Sequence, residues 1–356
     1  NMVDILCDSD SCAIFGDKKY IKELYERKDK LPKDFKFYCF DETDLDGVIS
    51  FDKYFEEAFQ TENELLSVVN GYLRDNKGKQ IRPIMTFLAG KICGKTNDAT
   101  INSAIALELL HTASLVHDDI VDDTYERRGK ESVNAIWKNK ISVLVGDYLL
   151  SQSLSIANKT QNLKILNEIT NLGKELSEGE LLQISNTKNI IVDEEKYLQV
   201  IRKKTAMLFS TCTKSGAISV NASDENIEKL RLFGELYGIC FQIKDDIFDY
   251  ISSEKEIGKP VGNDIREGKI TLPLLYALKN SEDADEYIKI LKDKDFSKKN
   301  VERIIDLSIK NKGIEYAEKR MNDFKNEAIK TLDSFEDSDI KKSLIMTLEH
   351  TIQRKK

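Results

Sequence analysis

Proline is scarce: 4 in 356 positions, where average usage would supply roughly four times as many. Proline breaks helix interiors and punctuates loops, so its scarcity favours long helices joined by short connections. Histidine is also rare, at 3 residues, and the six cysteines (Cys7, Cys12, Cys39, Cys93, Cys212 and Cys240) contain no C-x-x-C pair. That excludes a zinc ribbon and a disulfide framework, and predicts reduced thiols in a cytoplasmic protein. No apolar run approaches 18 residues and the mean hydropathy is −0.42, so no membrane span is expected. The charge balance lacks a basic excess: the net charge is −8. An acidic chain is unsuited to tracking a nucleic-acid backbone, so any anionic ligand must be met by a local group of Lys and Arg. The first residues carry Asp4, Asp8 and Asp10 and no apolar segment, which predicts neither a secretory leader nor a basic transit helix. Strand-like alternation and fixed-period repeats are both missing.

What is present is helical periodicity, nearly continuous from Phe51 onward. It predicts an all-α fold with helices at about 52–75, 80–94, 99–124, 132–139, 141–159, 161–188, 193–221, 225–251, 270–280, 284–293, 298–312, 314–335 and 338–354. Residues 1–50 lack a sustained apolar stripe and read as an N-terminal appendage, one helix plus irregular chain, ahead of a large helical domain over 51–356. Two apparent ligand loops fail on inspection. Residues 42–53 begin like a calcium loop but carry Lys53 where a bidentate Glu is required. Residues 262–269 are one position too long for a phosphate-binding P-loop, have no Ser or Thr after Lys269, and follow no strand.

The strongest signal occurs twice. His117-Asp118-Asp119-Ile120-Val121-Asp122-Asp123 closes one apolar helix, and Gln242-Ile243-Lys244-Asp245-Asp246-Ile247-Phe248-Asp249 closes another. Asp118 and Asp122, like Asp245 and Asp249, are i,i+4 partners, so each pair shares a helix face and repels unless a cation bridges it. A single acidic helix end is ordinarily a solvated feature. Here both follow strongly apolar stretches, Leu109–Val116 and Leu236–Ile243, which sets the acids at a core-lined rim. Hard carboxylate oxygens at this spacing suit Mg²⁺, which completes its octahedron with water and ligand phosphate. Cations accompany them: Lys79 and Arg82 in Gly78-Lys79-Gln80-Ile81-Arg82-Pro83, Arg127-Arg128-Gly129 just past the first acidic turn, Lys203-Lys204-Thr205-Ala206 within a helix, and Lys259 and Lys269 beside a glycine-bearing loop. Together these groups suit a diphosphate ligand, gripped by Arg forks, Lys point charges and divalent ions.

In this order and spacing, the motifs GKxxRP, HTASLVHDDIVDD, RRG, KTA and FQIKDDIFD resemble the trans-isoprenyl (polyprenyl) diphosphate synthases, over about residues 55–356. The resemblance implies an all-helical, homodimeric fold around a central cavity, with the acidic motifs facing each other across its mouth. It implies Mg²⁺-dependent condensation of isopentenyl diphosphate with an allylic diphosphate, by ionisation, condensation and elimination, with three Mg²⁺ ions. Asp118 and Asp122 would ligate two ions and Asp245 a third, supported by Asp119, Asp246 and Asp249. Arg127, Lys204 and Lys259 would hold the allylic diphosphate. Lys79, Arg82, His111 and Arg128 would bind isopentenyl diphosphate, with Lys269 a further substrate-binding cation. Thr205, Gln183 and Gln242 would line the reacting centre, and the basic end Arg354-Lys355-Lys356 would close over the second substrate. A terpene cyclase would carry a different second motif, and a non-catalytic subunit would be expected to have lost aspartates that are all present here.

Product length is legible below Asp118. Ser114 lies one turn beneath it with Ala113 alongside, and Leu110 lies two turns down. In the family, bulky aromatics at the first two positions form a floor; here both are small, so a growing tail passes at least another turn, about 5.4 Å. The expected product is long, similar to that of hexaprenyl and octaprenyl synthases. Ala113→Phe or Ser114→Phe should therefore shorten the product when the prenyl chains are sized chromatographically. An unchanged length distribution would refute this assignment.

Overall fold

The computed structural model describes residues 13–16, 22, 25–26, 36–39, 48–76, 78, 80–251 and 262–354. Fifteen helices are defined among them: α1 (Phe51–Glu57), α2 (Glu64–Asp75), α3 (Ile81–Cys93), α4 (Asp98–Val121), α5 (Val133–Lys159), α6 (Leu163–Asn189), α7 (Glu194–Ile201), α8 (Met207–Ser219), α9 (Asp224–Ile251), α10 (Asn263–Arg266), α11 (Leu272–Lys279), α12 (Ala284–Asp293), α13 (Lys298–Lys310), α14 (Gly313–Thr331) and α15 (Asp339–Gln353). The all-α expectation holds. Several local expectations do not. Ahead of α1, strands β1 (Ala13–Gly16), β2 (Lys36–Cys39) and β3 (Val48–Ser50) form a parallel sheet in the order β1-β2-β3, where irregular chain was expected. Strands of three or four residues are too short to show a period-2 pattern. The stretch 52–75 is two helices, because Asn63 Oδ1 accepts the Leu66 N–H at 3.0 Å and starts α2 afresh. The two helices expected over 132–159 are both present: α5 is interrupted at Lys138, whose backbone is non-helical with φ 70° and ψ 161°. The first half of the calcium-like stretch, residues 42–47, lies outside the described residues.

The core is built around helices buried on more than one face. On α4, Leu107, Leu109, Leu110 and Ala113 are all at most 2% exposed, although they point in different directions, so neighbours surround this helix. It packs along α5, while α8 packs on α9, α3 and α6. Leu230, Phe233, Tyr237, Ile243 and Ile247 of α9 join this main core. Each such side chain contributes about 1.5–3 kcal/mol of burial. A smaller apolar cluster of Tyr250, Ile265, Leu274, Leu278, Leu291 and Ile304 supports the end of α9. The candidate chemistry sits where α4 and α9 finish.

One close approach sets the register of α3 on α8. A Cβ at Gly216 would lie 2.2 Å from the Thr86 carbonyl oxygen, so glycine permits backbone-to-backbone contact there. The same packing brings Arg82, at the start of α3, over the Phe209 ring of α8 at 5.0 Å. Gly216→Ala should lower stability by about 1–3 kcal/mol in urea titrations through forced separation of α3 and α8; wild-type stability would show the contact to be compliant.

Candidate active site

The first acidic turn owes its position to the ends of α4. Asn97 Oδ1 caps the Ala99 and Thr100 N–H groups while Thr100 Oγ1 accepts the Asn97 N–H at 3.2 Å, a reciprocal capping box. At the other end, Asp122 is the C-cap, its N–H bonded to the Asp118 carbonyl at 2.8 Å, and Asp123 turns the chain with φ 49°. A two-stranded ribbon follows, β4 (Glu126–Arg127) with β5 (Lys130–Glu131). Its two loop residues, Arg128 (φ 56°) and Gly129 (φ 75°), are both left-handed, as a tight hairpin loop requires. This reversal sends adjacent arginines to different places. Arg127 doubles back onto buried Asp119, with Nε at 2.8 and 3.0 Å from its two oxygens and Nη2 at 2.6 Å. Arg128 donates to the Asn76 carbonyl at 3.1 Å and lies against Gly78, where a Cβ would meet its Nη2 at 2.6 Å. That contact gives the glycine of GKxxRP a steric reason.

The second acidic turn is linked through hydrogen bonds that sequence spacing did not reveal. Thr205 Oγ1 donates to Gln242 Oε1 at 2.8 Å, Gln242 Nε2 donates to Asp246 Oδ1 at 2.9 Å, and the Tyr197 hydroxyl donates to Asp246 Oδ2 at 2.7 Å. Burial holds the Asp246 carboxyl well above the usual carboxylate range, with Asp264 adding to the rise. Asp249 accepts the N–H groups of Asn263 and Asp264 at 2.8 and 3.0 Å, so it caps α10. Asp245 pairs with Arg354 at 2.6 Å, and that guanidinium stacks 4.1 Å from the Phe241 ring centre. Arg354 therefore meets the second acidic turn; Lys355 and Lys356 lie outside the described residues, as do Lys79 and Lys259.

Lys204 sits in a π-helical turn, Arg202–Ala206, between α7 and α8. Such a turn inserts a residue and re-aims its neighbours. Gly179 of α6 makes room for it, since a Cβ there would lie 2.8 Å from Lys203 Cβ and 2.9 Å from the Lys204 nitrogen. Lys203 then points at Glu175 and Glu178, at 2.6 and 2.8 Å, while Lys204 pairs with Glu180 at 2.5 Å. Lys204 joins two cavities. One is an apolar cleft of about 420 Å³ bounded by Leu110, Ala113, Ser114 and Asp118 on α4, Leu150 on α5 and Leu176 on α6. The other is lined by Gln183, Thr205, Gln242, Asp246, Asp264 and Lys269. Burial lowers the affinity of the Lys269 amine for its proton, but Asp264, Glu267 and Asp122 outweigh it and raise the pKa. Lys269 thus feels Asp122 of the first acidic turn as well as Asp264, whose N–H is held by Asp249 of the second.

A third cavity includes Glu108, His111, Asp119, Arg127 and Arg128. Burial and then Arg82, Arg128 and Arg127 hold His111 well below its ordinary pKa, so it is neutral at pH 7. Burial raises Glu108, against the pull of Arg82 and Arg128. Glu108, Glu180, Tyr197 and Asp264 escaped the sequence reading. None belongs to a recognisable motif, and their signal is spatial.

Burial lifts the Asp118 carboxyl to about 6; Lys204 and Arg127 pull it down, while Glu180 and Asp122 push it up. A carboxylate withdrawn from water, with Asp122 one turn away and hard oxygens on both, fits a divalent cation. Among the described residues no three His, Cys, Asp or Glu side chains form a ready-made metal cage, so an ion here would need oxygens from ligand and water. The titration also makes a stability claim. Below about pH 4 the group is protonated in both folded and unfolded chains and contributes nothing. Between about 4 and 6 the unfolded chain releases its proton first, so stability falls as pH rises. Asp118→Asn should therefore stabilise the metal-free protein at pH 7 by on the order of 2 kcal/mol, a gain that vanishes below pH 4; loss of stability at pH 7 would contradict the charge account.

The Polyprenyl synthetase family model covers residues 63–308. The chain is 33% identical over 297 residues, 83% of its length and 91% of the relative's, to the all-trans-nonaprenyl-diphosphate synthase (geranyl-diphosphate specific) of Rhodobacter capsulatus. It superposes with TM-score 0.81 and 30% identity on a Caulobacter crescentus polyprenyl synthase complexed with calcium and isoprenyl diphosphate, covering 86% of this chain and 94% of that one. A geranylgeranyl pyrophosphate synthase from Bacteroides thetaiotaomicron is 42% identical with TM-score 0.74, covering 85% and 95%. One described helix, α4, is long and apolar enough to cross a membrane, but 72% of its apolar window is buried inside the fold. By sequence and by structure, the chain belongs to the polyprenyl synthetase family of prenyltransferases, which condense isopentenyl diphosphate with allylic diphosphates.

Proposed function

We propose that residues 51–356 form a polyprenyl synthase domain that elongates an allylic diphosphate such as farnesyl diphosphate to a long all-trans product, with 1–50 as an appendage. One observation carries the reading: Lys204 belongs at once to the apolar cleft below Asp118 and to the polar pocket of Gln242 and Asp246. A charged diphosphate head and a greasy tail therefore have adjoining places. Asp118, Asp122 and Asp245 hold three Mg²⁺ ions in this reading, and these ions, when bound, neutralise the departing diphosphate. The chain's own residues do the rest. Arg127, fixed by Asp119, Lys204, fixed by Glu180, and Lys259 and Lys269 orient the allylic diphosphate. Lys79, Arg82, neutral His111 and Arg128 seat isopentenyl diphosphate in the third cavity. Thr205 and Gln242, with Gln183 nearby, turn polar atoms toward the developing carbocation, and the apolar cleft keeps water from it. The double bond of the isopentenyl unit attacks, and its proton leaves with the diphosphate.

The small side chains of Ala113 and Ser114 in the cleft wall support a long product. The 42% identity to a geranylgeranyl synthase favours a shorter one as the second reading. Exposed Val143 and Leu144 on α5 and Leu181 on α6 suit a homodimer contact. Nothing in the composition suggests a nucleic-acid partner, and a cytoplasmic location fits the reduced thiols.

Incubating the purified chain with Mg²⁺, farnesyl diphosphate and labelled isopentenyl diphosphate should give linear, elongated diphosphates. Chelation of Mg²⁺ should abolish them, and Asp118→Asn or Asp245→Asn should cut turnover by about 100-fold or more. Cyclic hydrocarbons, or no turnover at all, would overturn the reading.

A further inference from the structure

Helix α6 carries two interior glycines with opposite surroundings. Gly179 is pressed against the backbone of the π turn, so its lack of a side chain is explained by packing. Gly173 has no such reason: a Cβ added there would meet nothing within 4 Å. A glycine inside a helix weakens it relative to alanine, and at Gly173 no contact offsets that loss. What Gly173 does border is the apolar cleft, whose walls also include Leu110, Ala113, Ser114 and Leu176.

Depth along the two walls can be compared. Glu180 is level with the head of the site through its 2.5 Å pair with Lys204. Gly173 is seven residues before Glu180 on α6, about 10.5 Å down the helix, and Leu110 is eight residues before Asp118 on α4, about 12 Å down. Both helices run toward the head. Leu110 and Gly173 therefore border the cleft at similar depth, about 3–6 Å below the level of Ala113 and Ser114.

From this we infer that Gly173 is a specificity-determining residue for product length: it leaves a gap in the wall at the depth of Leu110, through which the prenyl tail continues. The inference rests on the proposed elongation activity and adds a second wall to it. A side chain at position 173 projects into unfilled space beside the tail, so it should limit length in proportion to its size. The cleft should close progressively from alanine to leucine to phenylalanine.

The test uses the full chain with Mg²⁺, farnesyl diphosphate and labelled isopentenyl diphosphate. Total label incorporated and product length are read separately, and circular dichroism checks folding. Gly173→Ala, Gly173→Leu and Gly173→Phe should give stepwise shorter products, the last by at least one isoprene unit. Gly71→Ala serves as the control, because Gly71 on α2 also has nothing within 4 Å but borders none of the three cavities; its products should match wild type. A wild-type length distribution from folded Gly173→Leu and Gly173→Phe that still incorporate label would overturn the inference and leave the elongation reading standing. The same unchanged lengths with an altered sedimenting mass would also overturn it, assigning Gly173 to a contact between copies. If wild type itself incorporates no label, the elongation reading fails instead. Where Gly173→Phe does not fold, the alanine-to-leucine step decides.

Discussion

Carboxylates half-withdrawn from water, and only partly balanced by the protein's own cations, are the constraint around which the molecule is arranged. Burial raises Asp118 to about 6 and Asp264 to about 7, so the site holds negative charge that the fold alone does not make comfortable. Around them Lys204 pairs with Glu180, Arg127 with Asp119 and Arg354 with Asp245, while Lys269 faces Asp264. Such a site is costly to build, and the cost is the source of its affinity for cations and for anions that bring cations with them.

The rest of the fold serves this charge arrangement. A capping box starts α4 and the main core surrounds it, which fixes the level of Asp118. The second apolar cluster steadies the end of α9, which fixes Asp246 and Asp249. Between them, Gly179 admits the π turn that aims Lys203 and Lys204 at different glutamates. Arg354 joins Asp245 to the aromatic faces of Phe241 and Phe248. The C-terminal helix α15 is thereby tied to the second acidic turn, and Tyr237 and Thr351 reinforce the tie through a 2.6 Å hydrogen bond.

Much of this was legible beforehand because it repeats in sequence. The two Asp-rich turns, the cations near them and the small residues below Asp118 sit at fixed spacings on long periodic helices, and periodicity survives without neighbours. What did not show was set by contacts between distant segments. Tyr197 reads as one aromatic on an amphipathic helix until α9 brings Asp246 within 2.7 Å. Asp264 belongs to a loop that looked like a failed P-loop, and its environment depends on Asp249 folding back over 15 residues. Arg354 read as part of a basic tail, and its pairing with Asp245 at 2.6 Å could not be seen from the sequence. The parallel strands of residues 13–50 escaped because each is shorter than the window in which alternation becomes visible.

In the proposed function the two acidic turns act together on a metal-borne diphosphate. Thermal denaturation of the wild-type chain with Mg²⁺ alone, inorganic diphosphate alone and both together tests it most directly. Marked stabilisation is expected only when both are present, about 2.7 kcal/mol at 100 times the dissociation constant, and should disappear in a variant lacking both Asp118 and Asp245 carboxylates. Equal or merely additive effects of the two ligands, or a shift that survives loss of both aspartates, would contradict it.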